Sequence, residues 1–115
     1  MLIIRGTQDI YISRCDQRKL AVNLTTETAS GVSDYEMADT EYLVFKLWDD
    51  RFFHRQIKTL RSADGETTIT IPPDFTAGLG GEYAYSVDLR FADGTKETVI
   101  GQSPSAVPKF VVLEA

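Results

Sequence analysis

Apolar residues in this chain recur mostly at every second position, the period of a strand that buries one face. The clearest stretch is 82–92, where Tyr83, Tyr85, Val87, Leu89 and Phe91 alternate with Ala84, Ser86, Asp88 and Arg90. Large apolar residues opposed by small and charged ones predict a strand with one face in a core and the other in solvent. Asp93-Gly94 follows as a type I′ turn signal and 95–100 resumes extended character, which together predict a hairpin. In 42–48, Leu43, Phe45 and Leu47 alternate with Tyr42, Val44, Lys46 and Trp48. Both sets are largely apolar, so this strand is expected at the centre of a sheet, with Lys46 reaching outward along its aliphatic stem.

Residues 52–60 are of mixed polarity and are expected as a partner strand at an edge. Thr67, Ile69 and Ile71 alternate with polar residues and predict a further strand, which Pro72-Pro73 ends because proline cannot donate to a ladder. One short helical turn is expected near 73–79, stopped by Gly80-Gly81. Ile10 and Ile12 flank Tyr11, and Leu20, Val22 and Leu24 enclose Ala21 and Asn23, so short strands are expected there and again at 110–113. The polar, small-residue stretch 25–40 is expected to be a long mobile loop or a poor edge strand. About seven or eight short strands with turn signals at intervals of roughly 8–12 residues predict an all-β fold, an immunoglobulin-like two-sheet antiparallel β-sandwich. Its expected core is Leu20, Val22, Leu43, Phe45, Leu47, Ile69, Ile71, Tyr83, Tyr85, Val87, Leu89 and Phe91.

A length of 115 residues suits a single domain over 1–115. Seventeen acidic residues against twelve Lys and Arg give a net charge of −5, which repels a phosphate backbone, so no nucleic-acid partner is expected. The lone Cys15 cannot form an intramolecular disulfide. Met1-Leu2-Ile3-Ile4-Arg5 lacks the layout of a signal peptide, and no apolar run approaches a bilayer span, so neither a signal peptide nor a transmembrane segment nor a membrane partner is expected.

Catalytic chemistry is hard to place on this chain. The single histidine, His54, has no second histidine to share a metal with, and Asp34, Glu36 and Asp39 lack the fixed offsets of a calcium loop. No Gly-x-Ser-x-Gly elbow presents a serine, and nothing marks any two of the acidic residues as a catalytic pair. Gly78, Gly80 and Gly81 lead into a strand rather than opening a helix, the reverse of a phosphate cradle. The expectation is a protein without enzymatic activity, metal or cofactor. Outward aromatics exceed what one sheet face needs, so Tyr42, Trp48, Phe52 and Phe53 are the candidate protein contacts.

One series of motifs points to a family. It comprises Arg14-Cys15-Asp16, Asp64-Gly65, the stretch 69–79 with Thr76-Ala77-Gly78-Leu79, Gly81-Glu82-Tyr83-Ala84-Tyr85-Ser86-Val87, Asp93-Gly94, and Val107-Pro108-Lys109-Phe110. In this order the chain resembles small domains of tailed phages and prophages, of the kind at the N-terminus of baseplate upper proteins and in short tail-associated proteins. The resemblance implies a structural or assembly protein of a phage or prophage particle. Its implied partners are other virion or tail proteins, or itself as a homo-oligomer. Its implied location is the virion, or the host cytoplasm during assembly. The family has no catalytic residues to carry over. An alternative reading is a carbohydrate- or ligand-binding module, since exposed Trp and Tyr can stack on sugars.

Overall fold

The computed structural model describes residues 2–4, 9–22, 24–50, 54–100 and 108–114. Among them the chain forms eleven strands and one 3-10 turn, Pro73–Phe75. The strands are β1 (Leu2–Ile4), β2 (Ile10–Ser13), β3 (Arg18–Ala21), β4 (Leu24–Thr28), β5 (Gly31–Asp34) and β6 (Tyr42–Trp48). They continue with β7 (Gln56–Arg61), β8 (Thr68–Ile71), β9 (Gly81–Arg90), β10 (Lys96–Ile100) and β11 (Lys109–Leu113). No helix among the described residues is long and apolar enough to cross a membrane.

The long strand β9 is the spine of the main sheet. One of its edges pairs antiparallel with β6, from Tyr42 opposite Arg90 to Trp48 opposite Ala84. Its other edge is shared: β11 covers the first half and β10 the second. Outside β6 lies β7, and outside β11 lies β2, the latter parallel, with Ile10 opposite Phe110 and Leu113 opposite Ser13. Two smaller antiparallel sheets, β3–β8 and β1–β4–β5, complete the set.

One core unites these sheets. Leu43, Phe45 and Leu47 of β6, Tyr85, Val87 and Leu89 of β9, and Phe110 of β11 meet Ile69 and Ile71 of β8 and Phe75 of the 3-10 turn. The Phe45 ring is its hub, stacked on Tyr85 at 5.2 Å and set edge-on to Phe110 at 5.7 Å and Phe75 at 6.0 Å. Such pairs add about 0.5–1.5 kcal/mol each beyond the area they bury. Leu20, Tyr83 and Phe91, expected inside, pack against the core only half-buried, while Ile10, Ile12, Leu24, Phe75, Phe110 and Val112 join it.

Among the described residues eleven strands stand where seven or eight were expected, and the β2–β11 pair is parallel where an antiparallel sandwich was expected. Four further expectations need correction. The stretch 25–40 carries β4 and β5 as an antiparallel hairpin, Thr28 opposite Gly31, where a mobile loop or a poor edge was expected; of the two strands only β5 is at an edge of its sheet. Its strand character comes from β-branched threonines rather than from an apolar alternation. Beyond it Tyr35 donates its hydroxyl to the buried Glu41 carboxylate at 2.8 Å, which also accepts the Ala38 N–H at 2.8 Å. Leu20, Val22 and Leu24 do not share a strand, because the chain leaves β3 after Ala21 and enters a different sheet at Leu24.

The Asp93-Gly94 turn is not type I′. That form needs positive φ at both central residues, and only Gly94 has it (φ 89°). The Phe91 N–H donates to Thr95 O at 2.9 Å and the Gly94 N–H to Phe91 O at 3.1 Å, so residues 92–94 form a three-residue loop with glycine at the left-handed position. The Thr95 hydroxyl and N–H both donate to the Asp93 carboxylate, which holds its pKa below the ordinary value. Finally, the polar face of β9 is not solvated: Ala84, Ser86 and Asp88 are as buried as the apolar residues between them.

Candidate functional site

The face of the main sheet turned away from the core holds the groups of interest. Along β6 it presents Tyr42, Val44, Lys46 and Trp48, and along β9 it presents Ala84, Ser86, Asp88 and Arg90. Thr59 and Arg61 extend the face on β7, Lys96 and Thr98 on β10, and Tyr11, Val111 and Leu113 on the β2–β11 pair. β9 contributes only short side chains in the middle of this face, so long neighbours lean over them. Trp48 stands opposite Ala84 and reaches along β9 to donate its indole N–H to Ser86 Oγ at 2.9 Å.

Asp88, 1% exposed, is the charged centre of this face. Lys46 Nζ lies 2.8 Å from Oδ2, and Arg90 and Lys96 approach the same oxygen at 3.7 and 3.8 Å. The Thr98 hydroxyl donates to Oδ1 at 3.2 Å. The contact to Lys46 is an ion pair rather than an aligned hydrogen bond. A buried carboxylate needs this much cationic company, since removing a charge from water costs several kcal/mol unless it is compensated.

Tyr42 and Trp48 do share this outer face, as expected, but both are half-buried and already engaged. The Arg61 guanidinium lies over the Tyr42 ring at 3.7 Å, and Trp48 is tied to Ser86. Phe52 and Phe53 lie outside the described residues. Sequence reasoning missed two others: Tyr11 is 53% and Leu113 45% exposed, the large hydrophobic side chains most open to solvent among the described residues. Tyr11 pairs with Val111, and Leu113 with Ser13, so Tyr11 and Leu113 are diagonal neighbours on one face. Arg18 donates to the Tyr11 carbonyl and thereby blocks part of the free edge of β2.

Elsewhere, Cys15 is exposed and sits in the left-handed region (φ 68°), its N–H donating to Thr76 Oγ1 at 2.9 Å. His54 Nδ1 lies 2.9 Å from Asp50 Oδ2 at the surface. No protein-family model matches the sequence, and no curated protein matches it.

Proposed function

We propose that this chain is a non-enzymatic assembly domain that binds other proteins through the outer face of its main sheet. The observation that carries this reading is the pairing of Tyr11 and Leu113 on that face. Exposed neighbouring hydrophobics on an edge strand pair are the composition of a contact surface. Trp48, Tyr42 and Arg61 share the same face farther across the sheet, where each already has a partner within the chain. The fold is read here as an immunoglobulin-like two-sheet sandwich. Supporting this is the single core shared by the main sheet and the smaller sheets; the parallel β2–β11 pair departs from the all-antiparallel form. The setting, a phage or prophage tail or baseplate, rests on the motif series from Arg14 to Phe110 alone.

Light scattering on the purified chain and co-purification with particles from the host strain test the proposal together. Association, with itself or with tail proteins, is expected, and a Tyr11→Ser/Leu113→Ser double variant should lose it while keeping its fold. A strict monomer at high concentration that enters no particle sinks the reading.

A further inference from the structure

A second feature lies beyond the β7 edge of the main sheet, where Arg61 borders the β3–β8 pair. A cleft of about 380 Å³ opens on the solvent side of the β3–β8 pair, where the chain passes from β7 to β8. That volume falls within the range of roughly 300–1,000 Å³ typical of small-molecule sites. Thr68 and Thr70 line it, their neighbours Ile69 and Ile71 pointing into the core. Lys19 lies directly opposite Thr70 in the register of β3 with β8. Arg61, Ser62, Ala63 and Glu66 complete the wall.

The chemistry of this lining is selective. Threonine hydroxyls both donate and accept, so they match a ligand that carries hydroxyl groups. Lys19 and Arg61 supply cations, whereas Glu66 accepts hydrogen bonds and opposes a second negative charge. Almost no apolar side chain lines the cleft, which disfavours an apolar ligand. The two cations differ in role. Arg61 is paired with the exposed Asp64, donates its Nε–H to Ser62 O at 3.2 Å and stacks on Tyr42, so it is held in place while donors of its guanidinium remain for a ligand. Lys19 makes no ion pair or hydrogen bond among the described residues and keeps its charge for a ligand. The wall is also anchored: Ser62 N–H donates to Leu43 O at 2.9 Å, and Ser62 Oγ accepts the Leu43 N–H at 2.9 Å. A fixed guanidinium on a fixed wall lowers the ordering cost of binding.

We infer that this cleft binds a monosaccharide bearing one carboxylate, with the carboxylate on Lys19 and Arg61 and the sugar hydroxyls on Thr68, Thr70 and Glu66. The inference does not depend on the assembly reading: the cleft borrows Arg61 from β7, whereas Tyr11 and Leu113 lie at the opposite edge of the main sheet.

Amide chemical shifts of the full chain, followed during titration with sodium glucuronate, test it. Saturable shifts are expected at Lys19, Thr68 and Thr70. Glucose, which lacks the carboxylate, and acetate, which lacks the hydroxyls, should each bind at least about tenfold more weakly. Lys19→Glu reverses the free charge at an exposed strand position and should weaken glucuronate by at least about tenfold with the remaining spectrum unchanged. Thr70→Val removes one hydroxyl at nearly constant shape and should weaken it less. The inference is overturned by an absence of saturable shifts, by shifts centred elsewhere, by acetate acting as well as glucuronate, or by undiminished binding to both variants.

Discussion

Replacing Asp88 by asparagine should cost this fold more than removing the lysine beside it. Asp88 is 1% exposed and the Lys46 side chain 11%. Asparagine keeps the acceptor for Thr98 but places an uncharged amide against the Lys46 ammonium, leaving a nearly buried cation without its counterion. Stranding one member of a buried ion pair costs about 3–5 kcal/mol. Lys46 can recover part of this by swinging toward water along its stem, so about 2–4 kcal/mol is expected for Asp88→Asn. In Lys46→Met the carboxylate still has Arg90 at 3.7 Å, Lys96 at 3.8 Å and the Thr98 hydroxyl at 3.2 Å. That variant should lose only about 1–2 kcal/mol. Urea unfolding followed by the fluorescence of the single tryptophan, with m-values compared, gives both numbers. Each kcal/mol corresponds to a fall of about 4 °C in melting temperature for a chain of this size. If Asp88→Asn lies within about 0.5 kcal/mol of the parent, or Lys46→Met costs more than Asp88→Asn, the reading of Asp88 as the hub is wrong.

Cys15→Gly should stabilise the chain by about 0.5–1 kcal/mol, since glycine relieves the left-handed backbone at φ 68°; a lower melting temperature would refute the strain. Trp48→Phe should cost about 1–2 kcal/mol by leaving the buried Ser86 hydroxyl without its indole donor, and a second change, Ser86→Ala, should recover part of that loss. Burial pushes the Tyr85 hydroxyl up to about 12, with the Asp9 charge adding to it, and burial together with Glu41 pushes Tyr35 up to about 12. Both phenols keep their protons in the fold at a pH where the unfolded chain has begun to lose them. Their contribution to stability is therefore fully present below about pH 10 and is lost as pH rises from there through about 12. Denaturant midpoints measured across that range, beside Tyr35→Phe and Tyr85→Phe, check it; a flat profile to about pH 12 would contradict the burial of these rings.

How much of this was legible depended on whether a residue's environment is set within its own strand. The alternation of 82–92 and 42–48 places β9 and β6 and the inward row Leu43, Phe45, Leu47, Tyr85, Val87 and Leu89, because one face of each strand is uniformly large and apolar. The hairpin β4–β5 was not legible, since Thr25, Thr26 and Thr28 give β propensity without a period. The fate of the polar row on β9 was not legible either. Whether Asp88 is solvated depends on which side chains stand beside it across the sheet, and Lys46 comes from β6 while Lys96 and Thr98 come from β10. Only the register, Val44 and Thr98 opposite Asp88 and Lys46 opposite Ser86, determines that it is buried.

The same logic explains why the aromatic residues that stand out in the sequence are not the most open ones. Tyr42 and Trp48 occupy a central strand with a neighbour on each side: Trp48 folds over the small residues of β9 to reach Ser86, and Tyr42 lies under the Arg61 guanidinium from β7, so each finds a partner inside the molecule. Tyr11 and Leu113 are far apart in sequence and meet through the parallel β2–β11 pairing, and among the described residues β2 is the outermost strand at that edge of the main sheet. Neither is distinguished by local sequence, because a tyrosine between two isoleucines and a leucine closing a short strand are ordinary core signals. Exposure at this edge follows from sheet order, which residues far apart in sequence set jointly. Substitutions at Trp48 and Tyr42 should therefore register as lost stability, and substitutions at Tyr11 and Leu113 as lost association.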